Sequence, residues 1–83
     1  MQSESKVNVM TIVVNYEKTG NNIKKYRQNQ NIKIGEMSKV TGISMRRLRT
    51  IENCSNSIKL MEITSICNHL NAKIEDILVY NVY

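Results

Sequence analysis

A chain of 83 residues has room for one domain with one modest core. Its apolar fraction of 41% is ordinary, but four Tyr are the only aromatics, which argues against a buried enzyme pocket. The absence of Pro excludes Pro-rich linkers, and the net charge of +5 is modest overall and points toward anionic rather than basic partners.

That charge is unevenly placed. Between residues 20 and 59 the bases are Lys24, Lys25, Arg27, Lys33, Lys39, Arg46, Arg47, Arg49 and Lys59. Only Glu36 and Glu52 oppose these nine, a local surplus of +7. Such a basic half suits a polyanion, the plain alternative being a solvated basic face. Cys54 and Cys67 stand in a chain with no secretory signal, since the apolar run over residues 7–14 is short and interrupted by Asn8 and Thr11. Free thiols in a reducing cytoplasm are expected. A single His and no close Cys pair give no basis for a zinc site. No cofactor or metal is expected, nor any membrane span.

Residues 1–6 are polar and read as a frayed end. Residues 7–16 are rich in β-branched side chains and predict a strand, with Val7, Val9, Thr11 and Val13 on one face. Residues 17–20 predict a turn with Thr19 as a helix cap, and a first helix follows to about Gln30. Ile23, Tyr26 and the stem of Arg27 would face inward, Asn29, Gln30 and Asn31 would stop the helix, and Ile32 would re-enter the core.

A second helix is predicted over residues 34–40, a turn at Gly42, and a third helix over residues 45–52 capped by Ser44. Met37, Val40, Ile43, Leu48 and Ile51 have the spacing of one core, while Met45, Arg46, Arg49 and Thr50 fall outside with Arg47 beside them. Two short helices at a steep angle, the second basic on its outer face, match what a DNA major groove accepts. After a polar loop, a fourth helix over residues 60–70 places Leu60, Ile63, Ile66, Cys67 and Leu70 at helical spacing. Asn71 suits a left-handed cap. A short fifth helix over residues 74–78 begins with Glu75 and Asp76, where acids favour the helix dipole. Residues 79–83 alternate again and predict a second strand.

Several residues together carry a family resemblance. These are Ile23-x-x-Tyr26-Arg27, then Met37, Gly42-Ile43-Ser44, Leu48 and Ile51-Glu52-Asn53. The pattern closes with Leu60-x-x-Ile63-x-x-Ile66-Cys67-x-x-Leu70-Asn71-Ala72-x-Ile74-x-Asp76-Ile77. Over residues 23–78 the chain resembles the Cro and lambda-repressor type of helix-turn-helix domain, the Xre family. The resemblance implies a mainly α fold, a compact five-helix lambda-repressor-like bundle, here with short N- and C-terminal β-strands. It divides the chain into a tail and strand (1–18), a helix-turn-helix domain (19–78) and a C-terminal strand (79–83).

The same resemblance implies base-facing roles for Met45, Arg46, Arg49 and Thr50, and backbone contacts from Lys33, Lys39, Ser44 and Arg47. Arg can read guanine with two hydrogen bonds, and phosphate contacts set register without reading sequence. Three residues depart from the family pattern. Ile34 stands where Gln is common, Cys54 replaces a Gly, and Lys73 lacks the hydroxyl that often caps the fifth helix.

Each signal has a plain counterpart. For the three arginines of the third helix the plain reading is a surface helix kept soluble by charge, but only Glu52 answers them at helical spacing. His69 has no partner at ligand spacing and reads as a polar surface side chain. Cys67 reads as a small core residue, and Cys54 as an ordinary thiol or a redox-sensitive one. Met10, Met37 and Met61 read as core filling or chance surface residues. No catalytic constellation is present in the sequence, so the chain is not read as an enzyme.

The expected function is that of a cytoplasmic transcriptional regulator, a repressor that binds double-stranded DNA as a homodimer on an inverted repeat. The alternative is a protein-interaction module on the same fold, such as an antitoxin, an antirepressor or a docking subunit. The strands would join two copies, because Val9, Ile12, Val14, Val79 and Val82 need burial. Otherwise they fold back on their own helices.

Overall fold

The computed structural model describes residues 11–53 and 57–83. The readings made for residues 1–10 and for Cys54 lie outside these.

The described chain runs β1 (Ile12–Val14), α1 (Tyr16–Asn29), α2 (Ile34–Thr41), α3 (Met45–Glu52), α4 (Leu60–Leu70), α5 (Ile74–Ile77) and β2 (Tyr80–Val82). The mainly helical five-helix class is as expected, with α3 and α4 at the predicted bounds. Helix α1 is longer than predicted. Asn15, not Thr19, caps it, its side chain accepting the Lys18 amide at 2.9 Å. Residues 17–20 are therefore its first turns and no turn separates strand from helix. Thr19 is buried, and its hydroxyl oxygen accepts the Val79 amide at 3.0 Å.

Ile23, Met37, Leu48, Ile66 and Ile77 are fully buried at the centre of the bundle. Each comes from a different helix, so the core requires all five. Tyr26, Ile34 and Ile43 pack around it, and Ile32 re-enters it. Two apolar residues predicted inward are not. Val40 is 60% exposed because the inward stripe of α2 runs through Ile34 and Met37. Leu60 is 71% exposed because α4 starts beyond the edge of the core, which begins at Ile63.

Polar bonds lock the pieces together. Arg27 donates to Glu52 through Nε at 2.7 Å and Nη2 at 3.0 Å, and through Nη1 to the Ile32 carbonyl at 2.9 Å. Glu52 is only 4% exposed. It therefore turns inward and serves α1, not the arginines of its own helix. Removing one partner of a buried pair strands the other charge and typically costs about 3–5 kcal/mol. Asn22 donates to the Ile77 carbonyl at 3.0 Å and Gln30 to the Leu70 carbonyl at 2.8 Å, satisfying helix-end acceptors. His69 also departs from expectation. Its side chain is 16% exposed and Nε2 lies 3.7 Å from the Glu36 carboxylate, between α4 and α2. Cys67 is buried as expected, and burial pushes its thiol pKa up.

The terminal strands pair antiparallel, Ile12 opposite Val82 and Val14 opposite Tyr80. The ribbon is tied to α1 by the Asn15 amide, which donates to the Val79 carbonyl at 2.8 Å, and by the Thr19–Val79 bond.

Candidate nucleic-acid interface

The turn between α2 and α3 is built from local rules. Gly42 takes φ 77°, a left-handed conformation that costs glycine little, and its amide closes α2 on the Ser38 carbonyl. Thr41 donates its hydroxyl to the Met37 carbonyl at 2.7 Å and accepts the Ile43 amide at 3.2 Å. Ser44 then caps α3, its oxygen accepting the Arg47 amide at 3.0 Å. That bond uses Ser44 as an acceptor, and its hydroxyl proton has no acceptor among the described residues.

Leu48 and Ile51 anchor α3 in the core, and this burial decides which side faces out. Met45 is 40% exposed, and Arg46, Arg49 and Thr50 are exposed. Neither Arg46 nor Arg49 forms an ion pair among the described residues. Thr50 donates its hydroxyl to the Arg46 carbonyl at 3.0 Å, so in this conformation it offers only acceptor capacity outward. Lys33, at the start of α2, and Lys39, in its last turn, are exposed and carry no ion pair among the described residues.

Arg47 is different. Its guanidinium meets Glu62 of α4 in a two-pronged pair, Nε to Oε2 at 2.8 Å and Nη2 to Oε1 at 2.9 Å. Nη2 also reaches the Ser57 carbonyl at 3.2 Å. Glu62 meanwhile accepts the Lys59 amide at 2.9 Å, half of a capping box at the start of α4. The hydrogen bonds from Arg47, reinforced by that amide, hold the Glu62 carboxyl below the usual glutamate range against the opposing effect of burial. The same bonds raise the Arg47 pKa. Of the expected contact residues, Arg47 is thus the one whose charge is already matched within the described fold. Sequence reasoning missed Glu62 because the pair spans fifteen residues. The Lys59-x-x-Glu62 spacing is the one local trace of it, and Lys in place of Ser or Thr hides the box.

A basic helix, capped at the end of a tight turn and carrying outward two arginines with no acid partner among the described residues, sits on a five-helix bundle. A sequence model of the Cro/C1-type HTH DNA-binding domain matches residues 22–82. The chain belongs to this family. Comparison with curated proteins found no match.

Among solved structures, the restriction-modification controller protein C.AhdI from Aeromonas hydrophila is 13% identical. It superposes with a TM-score of 0.71 over 75% of this chain and 94% of that one. SinR, the master regulator for biofilm formation, solved in complex with DNA, is 21% identical, with a TM-score of 0.64 over 69% of this chain and 92% of that one. The transcriptional regulator VanUg is 21% identical, with a TM-score of 0.60 over 99% of this chain and all 100% of that one. At such identities the likeness shows the fold. Ile34, which the resemblance sets at a position where Gln is common, is half-buried against the core. No helix among the described residues is long and apolar enough to cross a membrane.

Proposed function

We propose that this Cro/C1-type domain is a cytoplasmic transcriptional regulator, a dimeric repressor that reads an inverted repeat with α3 in the major groove. The carrying observation is that Arg46 and Arg49 stand outward without an acid partner among the described residues, on a helix fixed by Leu48, Ile51 and the Ser44 cap. The likeness to C.AhdI, SinR and VanUg, each named a controller or regulator, supports a regulatory role.

In this reading Arg46 takes a guanine edge, and Arg49, Thr50 and Met45 line the same groove. Thr50 accepts from a base amine and Met45 packs on a thymine methyl. Lys33, Lys39 and the Ser44 hydroxyl meet phosphates. Arg47 does not share in this work, because a phosphate would have to displace a carboxylate that already holds both prongs.

The experiment is selection of duplexes from a random pool by the full chain, followed by binding measurements on variants. Arg46→Ala should cost about 1–3 kcal/mol on the selected duplex and relax preference at one base pair. Lys39→Ala should weaken all duplexes alike and flatten the salt dependence. Unchanged discrimination by Arg46→Ala would remove its reading role. The burial of Ile34 where a polar residue is usual favours a second reading, a protein-interaction module. That reading gains if duplex binding is absent or indifferent to salt.

A further inference from the structure

Resting on the DNA-binding reading, we propose that Arg47 and Glu62 form a positioning pair. They set the rotation of α3, and with it the aim of Met45 and Arg46, without either touching DNA. Leu48 and Ile51 hold α3 on the core through apolar contact, which is non-directional, and the Arg27–Glu52 fork fixes the C-terminal end of the helix, leaving its first turn to be aimed by another contact. A fork of two parallel hydrogen bonds is directional. Arg47 is fixed twice, by its amide on Ser44 and by its guanidinium on Glu62. Met45 and Arg46 are the two residues between Ser44 and Arg47. Side chains reach about 5–6 Å from a helix axis, so a rotation of roughly 10° shifts their tips by about 1 Å. That is enough to spoil a two-bond contact with a base edge. Glu62 is in turn held by the Lys59 amide, so the reference for α3 is the first turn of α4.

The test uses the full chain, a duplex selected from a random pool by the wild type, and the unselected random duplex. Measurements are made at a temperature where circular dichroism shows every variant folded. Arg47→Ala should reduce the preference for the selected duplex about tenfold, on the scale of one misaimed base contact. Arg47→Lys keeps the charge, loses the fork, and should lose the same preference. The double variant Arg47→Ala/Glu62→Gln, which leaves the pair's net charge unchanged, should be no worse than the single variant. Its slope of log Kd against log salt should match the wild type.

A fall of about 0.9 in that slope would make Arg47 a phosphate contact and overturn the proposal. Tighter binding of both duplexes by Glu62→Gln would overturn it too, as would equal losses on both duplexes, which mark a purely structural role. If the wild type selects no sequence, the DNA-binding reading falls and this inference with it. If selection succeeds and the two substitutions add independently, only the pairing falls.

Discussion

Gly20 lies inside α1, where glycine costs a helix about 1 kcal/mol relative to Ala. Its reason is tertiary. A Cβ there would run into the Ile51 carbonyl oxygen and come within 3.2 Å of the Glu52 carbonyl oxygen. Glycine thus lets α1 approach the end of α3, beside the buried Arg27–Glu52 pair. Gly20→Ala should therefore lower stability by about 1–3 kcal/mol despite its better helix propensity, because backbone must move. Urea unfolding measures this, and a raised midpoint would contradict it. The arginines make the same point about context. Arg27 and Arg47 have the same side chain as Arg46 and Arg49, yet the first two hold the bundle together and the second two face solvent. Composition counts all four as charge available to a polyanion, but the structure leaves two for it.

At the level of elements, α3 is held by three kinds of force. Leu48 and Ile51 supply burial, Ser44 the cap, and charged pairs the polar hold, Glu52 on Arg27 of α1 at one end and, at the other, a tether from Arg47 to Glu62 of α4. The tether makes stability depend on pH. The Glu62 carboxyl titrates lower in the fold than in the unfolded chain, so its stabilisation is fully present above the ordinary value of about 4.3 and is lost as pH falls through the folded value. Glu62→Gln should accordingly be less stable than wild type at pH 7, and the difference should shrink below a pH of about 4. Urea midpoints across that range would show it. A difference that stays constant down to pH 3 would mean the pair carries no such linkage.

For the whole molecule, the ribbon is the part left incomplete. The Thr11 and Tyr83 amides and carbonyls bond each other, and the Asn15 amide bonds Val79. By the alternation of antiparallel pairing, the amides and carbonyls of Ile12, Val14, Tyr80 and Val82 then point outward, to edges with no strand on them among the described residues. Ile12 is 59% exposed and Val82 49%, and Ile12 and Tyr80 line a groove with Ile74, Glu75 and Leu78. Residues 11–15 and 79–83 contain no charge and no Pro, the devices that usually blunt a sheet edge. A second copy pairing on such an edge would give a four-stranded sheet, and the proposed reading of an inverted repeat requires the two copies of α3 to lie ~34 Å apart, one turn of DNA. Light scattering at tens of micromolar should find a dimer, and Val82→Lys should yield a folded monomer with weaker operator binding. A wild-type monomer under those conditions would remove the dimer.

Much of this was legible in the chain itself. The bounds of α3 and α4 followed from Ser44, Gly42, Asn71 and the helical period, because caps and periodicity act over three or four residues. The exposure of Met45, Arg46, Arg49 and Thr50 followed once Leu48 and Ile51 were placed inward. The start of α1 did not, since Asn15 looked like the end of a strand and Gly20 like a turn. The contact that requires Gly20 belongs to a helix some thirty residues later in sequence. Nor did the division of the arginines follow from the chain, because Glu52 and Glu62 reach Arg27 and Arg47 across twenty-five and fifteen residues. Local hydrogen bonding and apolar period write themselves into neighbouring residues. Which charges neutralise one another depends on distances that exist only after the helices pack.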